Sequence, residues 1–122
     1  MKIVIADDEL RLRKVIALYM SKCNYEVLEA GSGNAALDLV KEHNPDAVVL
    51  DVMMTGMTGI ETAKAIREIP EFKNLPIVFL TANASEDDIK NGLAAGADKY
   101  ITKPFSPKDL VETLENLIKS KG

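Results

Sequence analysis

The chain has a single cysteine, Cys23, and a single histidine, His43. One cysteine cannot form an intramolecular disulfide, so the fold must stand on packing alone. One histidine has no second imidazole with which to share a metal, which makes zinc chemistry and Ser-His catalysis poor readings. Long apolar runs are also missing. Near the start the longest is Ile3-Val4-Ile5-Ala6, far below the roughly 20 residues of a membrane span and too short for a signal-peptide core. A cytoplasmic location is expected. Nor is positive charge in excess: 15 Lys and Arg against 19 Asp and Glu leave a net charge of -4. That balance argues against unaided binding to nucleic acid or to an anionic membrane, and for a protein, a cation or a small phosphorylated partner.

The composition itself is that of an ordinary globular protein, 47% apolar and 28% charged over 122 residues. A chain of this length is expected to form one domain, residues 1–122, with no room for a separate output module. Short β-branched runs alternate five times with longer stretches of helical period. The runs that read as strands are Lys2–Ala6, Glu26–Glu29, Ala47–Leu50, Ile77–Leu80 and Lys99–Ile101. Ile3–Ala6, Ala47–Leu50 and Ile77–Leu80 are continuously apolar, as central strands of a parallel sheet covered on both faces must be. The second and fifth runs mix in polar residues and belong nearer an edge. On the first helix Leu12, Val15, Ile16, Tyr19, Met20 and Cys23 form an apolar seam, which makes Cys23 a core residue; Leu110, Val111, Leu114, Leu117 and Ile118 do the same on the last. Punctuation agrees: Pro45 and Pro70 follow helices, Gly96 ends one, and Ser85 with Asp88, Ser106 with Asp109, and Ser32 start them. The fold class is α/β, a right-handed (βα)5 doubly wound parallel five-stranded sheet with helices on both faces.

In such sheets ligands bind at the carboxyl ends of the strands. There the chain carries Asp7-Asp8 after the first strand, Asp51 at the third, Thr81 at the fourth and Lys103-Pro104 just beyond the fifth. Taken singly, each has a structural explanation as a cap or turn residue. Together they come from distant parts of the sequence and converge on one cavity. Three carboxylates about 5 Å apart repel by roughly 3 kcal/mol per pair at an effective dielectric of about 20. One lysine cannot balance them; a divalent cation can, and an all-oxygen site with room for water and phosphate suits Mg²⁺. With Lys103 and the cation drawing charge from a phosphoryl group, and Thr81 donating to one of its oxygens, a carboxylate can act as nucleophile toward phosphorus. Asp51 is the best candidate, at the end of an apolar run and before the loop Thr55-Gly56-Met57-Thr58-Gly59.

Asp7-Asp8-Glu9, Leu50-Asp51-Val52-Met53-Met54 with Gly56 and Gly59, Leu80-Thr81-Ala82 and Tyr100-Ile101-Thr102-Lys103-Pro104-Phe105 resemble the receiver domain of two-component response regulators, of the chemotaxis-regulator type. The resemblance runs from Lys2 to the last helix with every motif in order. It implies the flavodoxin-like strand order 2-1-3-4-5 and a phosphoprotein carrying an aspartyl phosphate on Asp51, drawn from a sensor histidine kinase or a histidine phosphotransfer protein. It further implies Mg²⁺ held directly by Asp8 and Asp51, through water by Asp7, and by the backbone carbonyl of Met53. Lys103 would pair with the phosphoryl oxygen and precede a cis bond to Pro104. Thr81 and Tyr100 would be the switch pair: Thr81 moves toward the phosphoryl group, Tyr100 then turns inward, and the changed face binds a downstream effector protein or domain. The resemblance also allows a phosphorylation-dependent homodimer through the face near Tyr100, although no residue compels it.

Thr55 and Thr58 depart from the family's usual proline and aspartate, which bears on the loop and on kinase docking but not on the chemistry. Met53 and Asn83 flank the path of the hydrolytic water in such domains, and a bulky Met53 is expected to slow water entry. Three rivals fare less well. An aspartyl phosphatase of the haloacid-dehalogenase type needs an aspartate where Met53 stands. A nucleotide or flavin module would not put Asp7-Asp8-Glu9 where phosphate must be cradled. A pure interaction module has no use for stacked carboxylates. The chain is therefore expected to be a regulatory phosphoacceptor that catalyses only its own phosphorylation and dephosphorylation.

Overall fold

In the computed structural model, residues 1–54, 56–82 and 86–121 are described, without the side chains of 86–89. Five strands, β1 (Lys2–Ala6), β2 (Glu26–Ala30), β3 (Ala47–Asp51), β4 (Ile77–Thr81) and β5 (Lys99–Thr102), alternate with five helices. These are α1 (Leu10–Lys22), α2 (Gly33–His43), α3 (Gly59–Glu68), α4 (Glu86–Ala94) and α5 (Pro107–Lys121), with a 3₁₀ turn at Pro70–Phe72. All strand pairs are parallel, in the order β2-β1-β3-β4-β5. The expected fold class and strand order hold, and the two mixed-polarity strands are the edges.

Side chains alternate across each strand, so one sheet supplies two cores. Ile3, Ile5, Val49, Val78 and Leu80 pack with Ile16 and Met20 of α1 and with Leu110, Leu114 and Leu117 of α5. Val4, Val48, Leu50, Ile77 and Phe79 pack on the opposite face with Ala36 and Val40 of α2 and Ala63 and Ile66 of α3. The helix starts read at Ser32 and Ser106 are real: their hydroxyls accept from the Ala35 and Asp109 amides at 3.2 and 3.1 Å. The start read at Ser85 lies outside the described residues.

Strands β2 to β5 each run one residue beyond the expected end, so Asp51 and Thr81 close their strands rather than follow them. The seam of α1 is narrower than its sequence indicates. Cys23 is exposed, not a core residue, because α1 stops at Lys22 and the chain turns away through Asn24 at φ 69°. Val15 is exposed as well, since the sheet is covered by Ile16, Ala17 and Met20.

Candidate functional site

The carboxyl edge of the sheet gathers residues from β1, β3, β4 and the segment after β5. Asp7 directly follows β1 and is fully buried, while Asp8 beside it is exposed. Asp51, the last residue of β3, is buried as well. One carboxylate oxygen from each of Asp7, Asp8 and Asp51 lies within 4.8 Å of the other two. The Lys103 ammonium sits between two of them, 3.3 Å from Asp7 Oδ2 and 3.3 Å from Asp51 Oδ2.

Backbone bonding holds this arrangement. The Lys103 amide donates to the Thr81 carbonyl at 2.7 Å, which carries the register of β4 and β5 one residue past the sheet. The Met53 amide donates to Asp51 Oδ1 at 3.2 Å, and the Glu9 amide to Asp7 Oδ1 at 2.9 Å, so each buried carboxylate has one oxygen tied locally and one turned toward Lys103. Gly59 opens α3 against the end of β3: a Cβ there would run into the Asp51 carbonyl oxygen, so only glycine lets the helix start this close. Thr58 caps that helix with a complete capping box, its hydroxyl accepting from the Glu61 amide while the Glu61 carboxylate accepts from the Thr58 amide. The threonine at this position thus does helix-capping work that an aspartate could also do. Thr55 and Asn83 lie outside the described residues.

Electrostatics follow from the crowding. Burial, and then the facing Asp7 carboxylate, push Asp51 up to about 6, against the pull of Lys103 and the Met53 amide. Burial works against the charged form of Lys103, yet Asp51 and Asp7 together outweigh it and raise the ammonium's pKa above its ordinary value. Two negative groups thus share one positive one. The donor set is all oxygen, partly exposed through Asp8, and short of positive charge, which fits a hard divalent cation of the Mg²⁺ type.

Thr81 is buried, and by strand alternation it continues the face of Phe79, which pairs in register with Tyr100 of β5. The Tyr100 ring is half-buried against that core and its hydroxyl oxygen is buried. Gly92 of α4 leaves the space: a Cβ there would meet the Phe79 ring at 2.9 Å and the Tyr100 ring at 3.4 Å. The ring thus packs beside Gly92 and Phe79 with its hydroxyl end covered. Met53 stands at the rim with 75% of its surface exposed. The Lys103-Pro104 bond is cis. Between α1 and the segment after β5 lies a cavity of about 360 Å³, lined by Glu9, Leu12, Lys103, Pro104 and Phe105.

Sequence reasoning passed over Arg13. Its guanidinium reaches back from α1 to donate to the Asp7 carbonyl at 2.8 Å, and its Nε lies 3.1 Å from Glu29 Oε1 on β2. A glutamate on a strand and an arginine on a helix carry no pairing signal until α1 is packed beside β2.

A doubly wound sheet with a buried aspartate at the end of its third strand, two neighbouring acids and a lysine at its carboxyl edge has the architecture of a signalling receiver. The chain belongs to the response regulator receiver domain family, whose model matches residues 3–115. It is 40% identical over 120 residues to the phosphate regulon transcriptional regulatory protein PhoB of Pseudomonas aeruginosa, an alignment covering 98% of this chain and 52% of that protein. The chain spans about half the length of the curated relatives it matches. Among solved structures it is similar to the chemotaxis protein CheY4 of Vibrio cholerae, with a TM-score of 0.91, 34% identity and coverage of 95% and 97% of the two chains. It is also similar to the receiver domain of the sensor histidine kinase PA1611 of Pseudomonas aeruginosa, described with a magnesium ion coordinated in the active site cleft, at a TM-score of 0.90, 28% identity and 97% coverage of each chain. Among the described residues no helix is long and apolar enough to cross a membrane.

Proposed function

We propose that Asp51 accepts a phosphoryl group from the phosphohistidine of a sensor kinase or phosphotransfer protein, and that residues 1–122 act as one switchable receiver domain. The observation that carries this reading is the Asp51 carboxylate, buried at the end of β3 beside the Asp7 carboxylate and 3.3 Å from the Lys103 ammonium that the two acids share. An Asp51 oxygen attacks phosphorus, the bond from phosphorus to the donor nitrogen breaks, and its electron pair leaves with the imidazole. Lys103 Nζ pairs with a phosphoryl oxygen and the Thr81 hydroxyl donates to another. Asp8, Asp51 and the Met53 carbonyl would hold Mg²⁺, with Asp7 behind them, as the related PA1611 receiver holds magnesium in its cleft. When bound, the cation supplies the positive charge that three carboxylates and a phosphoryl group require.

The phosphoryl group offers Thr81 a new acceptor, and the Thr81–Tyr100 face then favours one of two pre-existing arrangements at α4, β5 and α5. A downstream effector protein or domain reads that face; pairing with a second copy is the alternative user of the same surface. The chain is a regulatory domain of the cytoplasm rather than a turnover enzyme, and Met53 at the rim lengthens the life of the phosphoform by hindering water.

Incubation with Mg²⁺ and a small acyl phosphate, followed by intact mass measurement, tests the reading. One Mg²⁺-dependent phosphoryl adduct, lost in Asp51→Asn, is expected. No adduct would leave a pure interaction module, and steady consumption of the donor without an adduct would point to a phosphatase.

A further inference from the structure

Every polar group of Asp7 is tied down. Its amide donates to the Ala30 carbonyl at 3.1 Å, Oδ1 accepts from Glu9 and Oδ2 faces Lys103. The carbonyl, which begins the peptide leading into Asp8, accepts from Arg13 Nη1 at 2.8 Å. Asp8 itself lies in the turn between β1 and α1, outside any regular element, so the orientation of that peptide decides where its carboxylate points.

Arg13 is built for the task. Its Nε meets Glu29 Oε1 at 3.1 Å, and Lys14 holds the other oxygen of that carboxylate at 3.0 Å. One edge of the rigid guanidinium fork is thereby anchored on β2 while Nη1 is presented to the Asp7 carbonyl. The Arg13 side chain is 15% exposed against 61% for Lys14, so it is packed in place rather than waving in solvent. Gly31, just beyond β2, makes the room: a Cβ there would lie 3.2 Å from Nη1.

We propose that Arg13 is a positioning residue for the cation site: it clamps the peptide between Asp7 and Asp8 against β2 and so aims the Asp8 carboxylate at Mg²⁺. This rests on the cation reading above and adds to it a residue that touches neither metal nor phosphate. The sign of the effect separates the clamp from simple electrostatics. Arg13 is a cation near three carboxylates, so removing it should by Coulomb's law tighten the binding of a second cation. Loss of a clamp does the reverse, and outer partners of metal ligands are typically worth 10–100-fold in affinity.

Mg²⁺ titration by calorimetry, with a urea melt on each variant, reads the difference. Arg13→Met is expected to weaken Mg²⁺ binding roughly tenfold or more. Arg13→Lys, whose ammonium reaches only one of the two partners, falls between it and the wild type. If Arg13→Met does not fold, Arg13→Lys decides the matter, since it keeps the charge and loses the fork. At saturating Mg²⁺ the phosphorylation rate of Arg13→Met with an acyl phosphate returns to about that of the wild type, while the Mg²⁺ concentration for half-maximal rate rises. Unchanged or tighter Mg²⁺ binding in folded Arg13→Met, or in Arg13→Lys should Arg13→Met not fold, overturns the clamp and leaves the cation site standing. A wild-type chain that binds no Mg²⁺ overturns both.

Discussion

Lys103 is the one cation placed by the described residues between the two buried carboxylates, and its removal sets two like charges face to face with little solvent between them to screen their repulsion. Lys103→Met is expected to destabilise the Mg²⁺-free protein by about 2–4 kcal/mol at pH 7, because breaking a buried pair leaves charge uncompensated. Added Mg²⁺ should narrow that deficit, and urea melts with and without the ion measure it. Glu29 behaves in the opposite sense. Burial works against its charge, but the bonds from Lys14 and Arg13 prevail and hold its pKa below the usual 4.5. A carboxyl with a lowered native pKa contributes stability that is present above the unfolded value and lost as pH falls through the folded one. Glu29→Gln is therefore expected to cost about 1 kcal/mol at pH 7. The gap to the wild type should narrow as pH falls past the usual 4.5 and close below the lowered native value, as paired denaturation curves along that descent would record.

At the scale of single elements, the start of α3 governs the loop after Asp51. Thr58→Ala removes half of the capping box and is expected to cost about 1 kcal/mol. Gly59→Ala should cost more, about 1–3 kcal/mol, since its methyl group must displace the Asp51 carbonyl and the end of β3 with it. Urea unfolding of the two variants gives their order. A result with Thr58→Ala the worse would mean that the helix and the strand yield to each other more easily than their close approach indicates. The element scale is also where sequence periodicity overreached. The apolar spacing of α1 continues through Cys23, but helical hydrogen bonding stops at Lys22, and a residue past the last turn no longer faces the sheet.

For the molecule as a whole, the carboxyl edge is a strained electrostatic arrangement waiting for positive charge. Anything that binds the native state alone stabilises it by mass action. Mg²⁺ at about ten times its dissociation constant should add about 1.4 kcal/mol, a rise of several degrees in the melting temperature, reversed by a chelator. Asp8→Asn, which removes the exposed carboxylate of the trio, should flatten that response in the same thermal melt.

Much of this was legible in the residues themselves. Continuous apolar runs announced the three central strands, since only strands covered on both faces have no polar side to show; mixed polarity announced the two edges. Asp7, Asp8, Asp51, Thr81 and Lys103 could be picked out because the α/β architecture sends all strand ends to one place, and the chemistry of three acids and a lysine then follows from charge alone. Tertiary structure decided the rest. The Arg13–Glu29 pair spans two elements whose contact no local pattern encodes, and the Tyr100 ring has room where it lies because α4 brings Gly92 beside it. Composition and period are properties of a segment, whereas a clamp on a peptide or the space behind a ring exists only between segments, once packing has brought them together.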